Sequence, residues 1–180
     1  MKRKLPGIII ALAVVILAAV FLLHSFRPSI GEIAESWETT NQTFKVRVDR
    51  HAEKNGGFVA GAYYVFRSAP SASNDWREIM TFRHDDPNPI PRDQVRFVND
   101  RVGYVFMGWM YAVTLDGGGT WSVWNADTEV PKWDCCNYGL IGDVNIRPDG
   151  TGTMILHPIP KRQGEVPRLH TKDFGQHWDL

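Results

Sequence analysis

Acidic residues are the first candidates for chemistry in this sequence, because several of them stand close together. Residues 84–86 (His-Asp-Asp) and Asp93 border a proline-rich segment and offer oxygen ligands of the kind that divalent cations take. They lack the Asp-x-Asp-x-Asp-Gly order of a calcium loop, which favours a solvated acidic loop. Asp134 and Asp143 are a candidate carboxylate pair for glycoside hydrolysis, although chance also produces such pairs. We therefore predict no catalytic residue, no metal site and no cofactor.

The two cysteines, Cys135 and Cys136, are adjacent in the sequence. Exported proteins use cysteine mainly for disulfides, and neighbouring cysteines pair only by closing a small, strained ring. Two interpretations remain open: a vicinal disulfide at a turn, or a pair of small buried apolar side chains. Zinc binding is not predicted, because no second Cys/His pair stands at ligand spacing.

A further pattern points to structure, because the string Thr-x-Asp-x-Gly-x-x-Trp occurs twice. Its members are Thr114, Asp116, Gly118 and Trp121 in the first copy and Thr171, Asp173, Gly175 and Trp178 in the second. In a tight β-hairpin the aspartate bonds backbone N–H groups one or two residues further on, and the glycine supplies a positive φ. The tryptophan then begins the next strand and lays its ring over the hairpin. Two copies with the same spacing predict a repeat in which all of these residues are scaffold.

Short strands are expected to carry these hairpins. Residues 44–48 alternate between apolar and polar side chains, which predicts a half-buried strand, and residues 58–66 are apolar enough for a strand buried on both faces. A loop closing at Trp76 has the form of a degenerate first copy of the repeat. Later stretches repeat the order of strand, turn, strand and hairpin. The sequence therefore predicts an all-β domain at residues 42–180, built from about three units.

The N-terminal stretch predicts a membrane anchor. Residues 7–24 are uncharged and almost wholly apolar, and they follow a basic tail at residues 1–6. The basic tail is expected to stay in the bacterial cytoplasm, so that the rest of the chain faces the periplasm across the inner membrane. Residues 25–41 are predicted to form a stalk with one or two helical turns. A cleaved signal peptide is the alternative, but no small-residue cleavage site follows the apolar run.

The charge distribution excludes nucleic acid as an expected partner. The sequence holds 20 basic and 20 acidic residues, but four of the basic ones flank the apolar stretch and every acidic residue follows it. The remaining domain is therefore acidic overall, whereas a nucleic-acid-binding domain carries a clustered basic face. Its 7 tryptophans and 12% aromatic content supply the core formers that a disordered chain lacks.

The hairpin strings and the segment at residues 97–105 resemble a blade of the Asp-box (BNR) repeat proteins, which include the sialidases and the photosystem II assembly-factor propellers. The resemblance implies propeller blades in which the Asp-box is a structural hairpin away from any active site. About three units imply a partial propeller, a sandwich-like domain or half of a homodimer. Sialidase catalysis is not implied, because residues 90–92 (Ile-Pro-Arg) hold the residues of the sialidase Arg-Ile-Pro motif in the wrong order and in the wrong place, and the arginine triad is missing.

A second resemblance concerns architecture. Small anchored periplasmic all-β proteins occur among the immunity proteins that neutralise lipases secreted by the type VI system. Residues 136–141 and 149–154 are similar to that group. The resemblance implies a protein partner, namely a toxin, with the membrane reached through the N-terminal helix.

Aromatic and arginine side chains outside the hairpins are candidates for contacts with a protein partner, since such residues dominate interface hot spots. The candidates are Trp109, Tyr111, Trp124, Trp133, Arg92 and Arg96. Core packing is the alternative role for Trp109 and Trp124. Our hypothesis is a non-catalytic, membrane-anchored binding protein, an immunity protein or inhibitor of a secreted toxin such as a type VI lipase effector. The alternatives are a glycan-binding or sialidase-related module and an assembly factor for a membrane complex.

Overall fold

The computed structural model of the protein describes residues 29–54, 61–130, 138–158 and 168–180. In these ranges the chain is dominated by antiparallel β-structure, which confirms the predicted all-β class. The strands are β1 (Ser29–Thr40), β2 (Phe44–Lys54), β3 (Ala62–Pro70), β4 (Arg77–His84), β5 (Val95–Phe97), β6 (Gly103–Met107), β7 (Met110–Thr114), β8 (Ser122–Asn125), β9 (Tyr138–Ile146), β10 (Gly152–Pro158) and β11 (Arg168–Thr171). A 3-10 turn at Arg92–Gln94 precedes β5, and a short helix, α1 (Ala126–Glu129), follows β8.

The strands form three sheets, and each sheet follows chain order. Sheet 1 holds β1 to β4, sheet 2 holds β5 to β8, and sheet 3 holds β9, β10 and β11 with β10 in the middle. A single antiparallel bridge pairs Asp179 with His170 of β11. The two Asp-box hairpins follow the third strand of sheet 2 and the third strand of sheet 3.

Sheet 2 lies between the other two sheets because both of its faces are apolar. Successive residues of a strand point to opposite faces, so Val105 and Phe106 of β6 enter different cores. Val105 joins Phe66 of sheet 1 in one core, and Phe106 joins Leu156 of sheet 3 in the other. Phe66 and Leu156 are fully buried, and truncating either to alanine is expected to cost about 3 kcal/mol.

The predicted stalk at residues 25–41 is wrong for residues 29–40, which form β1 and pair with β2. Trp37 packs against the core between sheets 1 and 2, so this segment belongs to the folded domain. The predicted helical turns do not form, because the ladder with β2 pairs the backbone groups of this segment instead. Register shifts beside Ile33 interrupt the ladder. They also disrupt the two-residue alternation of side chains that indicates a strand in the sequence.

The predicted anchor at residues 7–24 and the tail at residues 1–6 lie outside the described residues. Among the residues that are described, no helix has the length and apolar character needed to cross a membrane. The anchor therefore stays a prediction.

Candidate binding surfaces

The carboxylate of the first Asp-box hairpin is occupied by the turn itself. Thr114 Oγ1 donates to Asp116 Oδ1 (2.8 Å), and the same oxygen accepts from the backbone N–H of Thr120 (3.0 Å). Gly118 N–H donates to Thr114 Oγ1 (2.9 Å). The aspartate thus reaches a backbone N–H four residues further on, not one or two as predicted. The hydrogen bond from the Thr114 hydroxyl positions the Asp116 carboxylate so that it also accepts from the N–H of Thr120.

The second hairpin repeats these bonds. Thr171 Oγ1 donates to Asp173 Oδ1 (2.8 Å), which also accepts from the N–H of His177 (3.1 Å). Burial raises the pKa of Asp173, but the hydrogen bonds from His177 and Thr171 lower it by more, so the carboxylate stays ionised well into acid. Gly118 and Gly175 have φ angles of 85° and 86°, and the positive φ predicted for this position is confirmed.

Each hairpin also contacts the preceding sheet. Trp121 Nε1 donates to Ser68 Oγ on β3 (2.9 Å), and Ser68 donates to the carbonyl of Gly118 (3.2 Å). In sheet 3, the ring of Trp178 lies edge-on against Tyr111 of β7, with 5.5 Å between ring centroids. In both cases the contacted residue stands on the third strand of the neighbouring sheet. The hairpins therefore join the sheets.

The residues predicted to contact a partner occupy different environments. Tyr111 is fully buried between sheets 2 and 3, so its prediction as a contact residue is wrong. Its strand belongs to the middle sheet, where both faces are covered. Trp109 and Trp124 are half-buried and pack against core residues, while Arg92 is exposed on the 3-10 turn. Trp133 lies outside the described residues.

Arg96, another predicted contact, joins sheet 2 to sheet 3. Its guanidinium donates to the carbonyl of Val144 (2.6 Å) and to Asp143 Oδ1 (2.8 Å), both on β9. Asp143, one half of the candidate carboxylate pair, is therefore occupied by an ion pair. Its proposed partner Asp134 and the adjacent Cys135 and Cys136 lie outside the described residues.

The acidic loop after β4 is held by local contacts. Asp85 pairs with Arg83 (2.5 Å), and His84 Nδ1 accepts from the backbone N–H of Asp86 (2.9 Å). Among the described residues, no three His, Cys, Asp or Glu side chains gather into a group that could hold a metal ion. The loop geometry is that of a hydrogen-bonded turn.

The face of sheet 1 that points away from sheet 2 carries an internal ion network. Asp49 is fully buried on this face and accepts from Ser36 Oγ (2.6 Å) and Arg47 Nε (2.7 Å). Arg67 binds its other carboxylate oxygen. Burial raises the pKa of Asp49, but these hydrogen bonds and the two guanidinium charges lower it by more, so its pKa lies below the usual range.

Trp76, which closes the degenerate repeat unit, lies on the same face of sheet 1. Lys45 Nζ stands 5.0 Å from its ring centroid, and the guanidinium carbon of Arg47 stands 6.0 Å away. In the described chain Trp76 has no preceding sheet to contact, unlike Trp121 and Trp178. Its ring covers the basic side chains of its own sheet instead.

The face of sheet 3 that points away from sheet 2 is polar and holds a groove of about 460 Å³. The polar residues that line it are Asn145, Arg147, Thr151, Thr153, His170 and Lys172, together with the backbone of Thr171. Leu169 and Thr171 are buried on the inward side of β11, so the alternating residues His170 and Lys172 point outward. Both are exposed.

The strand register sets the distance between Arg147 and Lys172 across this groove. Gly152 of β10 pairs with Ile146 of β9 on one side and with Thr171 of β11 on the other. Arg147 and Lys172 are the next residues along β9 and β11, so they flank the groove with β10 between them. Two strand spacings of about 4.8 Å place their backbones about 10 Å apart.

The basic side chains of this groove have no hydrogen-bond or ion-pair partner among the described residues. In the part of the chain that the structure describes, the side chains of Arg147, His170 and Lys172 form no ion pair and no hydrogen bond. Among the described residues, no carboxylate lines the groove. Asp149 stands in the adjoining turn, and Asp179 lies opposite His170 on the far side of β11. The lining is therefore basic, with acidic residues only beyond its edges.

Arg147, His170 and Lys172 are absent from the contacts predicted from sequence, although the sequence contains a signal for two of them. His170 and Lys172 alternate with Thr171, whose hydroxyl is required inside the hairpin, and this places both on the opposite face. The position of Arg147 beside them follows only from the register between β9, β10 and β11.

The fold and these surfaces define an all-β protein whose described residues form three antiparallel sheets with two polar end faces. No family model matches the chain, and the comparisons with curated proteins and with solved structures find no similar protein. The resemblances to Asp-box repeats and to immunity proteins therefore stay predictions.

Proposed function

We propose that the protein is a non-catalytic binding protein of the bacterial inner membrane, which acts as an immunity protein or inhibitor of a secreted toxin. The observation that carries this proposal is the outer face of sheet 3, where Arg147, His170 and Lys172 line an open groove. Cations that the fold does not neutralise are available to a partner protein. Complementary charge of this kind governs the rate and specificity of association.

The carboxylates of the described chain support binding over catalysis. Asp116 and Asp173 hold hairpin turns, Asp49 holds two arginines, and Asp143 holds Arg96. General acid–base catalysis requires a pair of such groups facing one site with pKa values that are driven apart. These four carboxylates instead stand on separate elements, and each is engaged in a structural contact.

For the fold, we infer an open stack of three Asp-box units. A hairpin, or the loop closing at Trp76, follows the third strand of every sheet, as the repeat requires. Any further sheet, or a second copy of the chain, would have to cover Asp49 and Arg67 on sheet 1 or His170 and Lys172 on sheet 3. Burying charged groups without new partners is costly, which favours ending the stack at these faces.

The predicted anchor at residues 7–24 fits this function. An anchor would keep the binding domain at the periplasmic surface of the inner membrane, where a toxin that attacks lipids must arrive. Tethering raises the effective concentration of a binding site without adding contacts.

The test is co-expression of the full-length protein with the product of its neighbouring gene. We expect the two to co-purify in mild detergent and the full-length protein to protect cells from the toxicity of that product. Absence of both the complex and the protection would contradict the immunity function. Binding to cell-wall sugars would favour the glycan-binding alternative, and co-migration with a membrane complex in native gels would favour the assembly factor.

A further inference from the structure

The groove of sheet 3 indicates the chemistry of the partner. We propose that this groove binds an extended acidic segment of the partner protein, with carboxylates of that segment reaching Arg147 and Lys172 on opposite sides. The inference rests on the proposed protein-binding function and adds the chemical nature of the segment that is recognised.

Charge is the first argument for an acidic segment. Arg147, His170 and Lys172 are exposed in a lining without carboxylates. A guanidinium can bind a carboxylate through two parallel N–H···O bonds, and a lysine ammonium offers three donors. In the described chain these groups form no ion pair and no side-chain hydrogen bond, so an anionic ligand would supply their first direct contacts.

The neighbouring carboxylates offset this charge only in part. Asp149 accepts from Thr151 Oγ1 (2.7 Å) and Thr151 N–H (2.9 Å), which holds it in the turn. These two bonds are the main reason that the pKa of Asp149 is lowered, and the charge of Arg147 adds a smaller effect. Asp179 lies beyond His170, on the side of β11 away from β10. The space between Arg147 and Lys172 therefore stays positive.

The spacing of Arg147 and Lys172 fits an extended polypeptide. The backbones of Arg147 and Lys172 are about 10 Å apart, with β10 between them. In an extended chain, carboxylates at alternate positions share one face and recur about every 7 Å. Their flexible side chains cover the remaining distance to the two cations.

The floor of the groove fits an extended backbone. Thr153 and Asn145 offer hydroxyl and amide groups that both donate and accept hydrogen bonds, and the hydroxyl of Thr151, which donates to Asp149, can still accept one. An amphipathic helix would require an apolar groove for its buried face. The polar floor therefore favours an extended segment with acidic residues at alternate positions.

The test measures binding of a fluorescent peptide with glutamate at alternate positions to the full-length protein in nonionic detergent. A peptide with lysine in place of glutamate is the control ligand. We expect the acidic peptide to bind and the lysine peptide not to bind. Raising the ionic strength from about 0.1 M to about 1 M shortens the screening length from about 10 Å to about 3 Å and should weaken binding at least tenfold.

Charge reversal locates the binding site. The double variant Arg147→Glu, Lys172→Glu is expected to bind the acidic peptide at least about tenfold more weakly, because two attractive contacts become repulsive. Arg101→Glu makes the same kind of change at an exposed arginine outside the groove and should leave affinity within about twofold. If thermal unfolding shows that the double variant is not folded, Arg147→Gln, Lys172→Gln replaces it, with the same loss expected.

Three results would overturn the proposal: unchanged affinity in a folded double variant, equal binding of the lysine peptide, or tighter binding of inorganic phosphate or phosphatidylglycerol vesicles than of the acidic peptide. The two proposals can fail separately. If the neighbouring gene product still co-purifies with the double variant, the groove assignment fails and the protein-binding function stands. If the peptide binds through the groove and no protein complex forms, the groove stands and the proposed function fails.

Discussion

The two end faces of the sheet stack use their cations in opposite ways. On sheet 1, Arg47 and Arg67 close on the buried carboxylate of Asp49, and their side chains are 32% and 29% exposed. On sheet 3, Arg147 and Lys172 are exposed and have no partner in the described chain. The number of basic residues on a face is therefore a poor guide to binding. The pairing of each one decides whether its charge stabilises the fold or is available to another molecule.

The largest expected effect comes from removing the carboxylate on sheet 1. Asp49→Ala leaves two arginines without their buried partner and is expected to lower the free energy of unfolding by about 3 kcal/mol. Urea denaturation of the full-length protein in detergent measures this change. Arg147→Ala on sheet 3 is the matched control, with an expected change within about 0.5 kcal/mol. Similar losses in both variants would remove the distinction between the two faces.

The second-largest expected effect is a loss of stability in acid that comes from Asp49 in the ion network of sheet 1. The folded-state pKa of Asp49 lies below its unfolded value of about 3.9. Its contribution to stability is therefore complete above that value and is lost as the pH falls through the lower folded-state pKa. Asp49→Asn should unfold with a shallower pH dependence below about pH 4 than the wild type. Lys172→Gln should keep the wild-type profile, and an identical profile for Asp49→Asn would contradict the assignment.

A smaller effect is expected at the two tryptophans that connect neighbouring sheets. Trp121 Nε1 donates to Ser68, whereas Trp178 Nε1 is buried without a hydrogen-bond partner among the described residues. Phenylalanine removes the donor at either position, so Trp121→Phe should cost about 1 kcal/mol more than Trp178→Phe. Thermal or urea unfolding of the two variants provides the comparison. Equal losses of unfolding free energy would show that the hydrogen bond from Trp121 to Ser68 does not stabilise the contact between sheets 1 and 2.

The smallest expected effect is on the stability of the sheet 3 face. Lys172→Glu should change the free energy of unfolding by less than about 0.5 kcal/mol, because Lys172 is exposed and has no partner among the described residues. The same variant should weaken binding of the acidic peptide. A loss of stability comparable to that of Asp49→Ala would show that Lys172 belongs to the scaffold.

Local patterns were sufficient to predict part of this structure. The two-residue period of residues 44–48 and the repeated hairpin string depend only on neighbours in sequence, and both correspond to observed elements. β1 was missed because its bulges beside Ile33 break the period. Tyr111 was misassigned because only the stacking of the sheets reveals that both faces of β7 are covered.

The candidate site was harder to predict for a similar reason. Lys172 is separated by 25 positions from Arg147 in the numbering, and only the pairing of β9, β10 and β11 places them around one groove. The absence of ion pairs is also a property of the fold, since the sequence contains as many acidic as basic residues. Composition alone gives no sign of which cations remain unpaired.

Lysine footprinting tests the central claim most directly. The full-length protein is acetylated with a brief pulse of an amine-reactive reagent, alone and in complex with the neighbouring gene product, and each lysine is quantified by mass spectrometry. Lys172 should become protected in the complex, while Lys54, an exposed lysine at the end of β2 in sheet 1, should keep its reactivity. Unchanged reactivity of Lys172 in a stable complex would contradict the account.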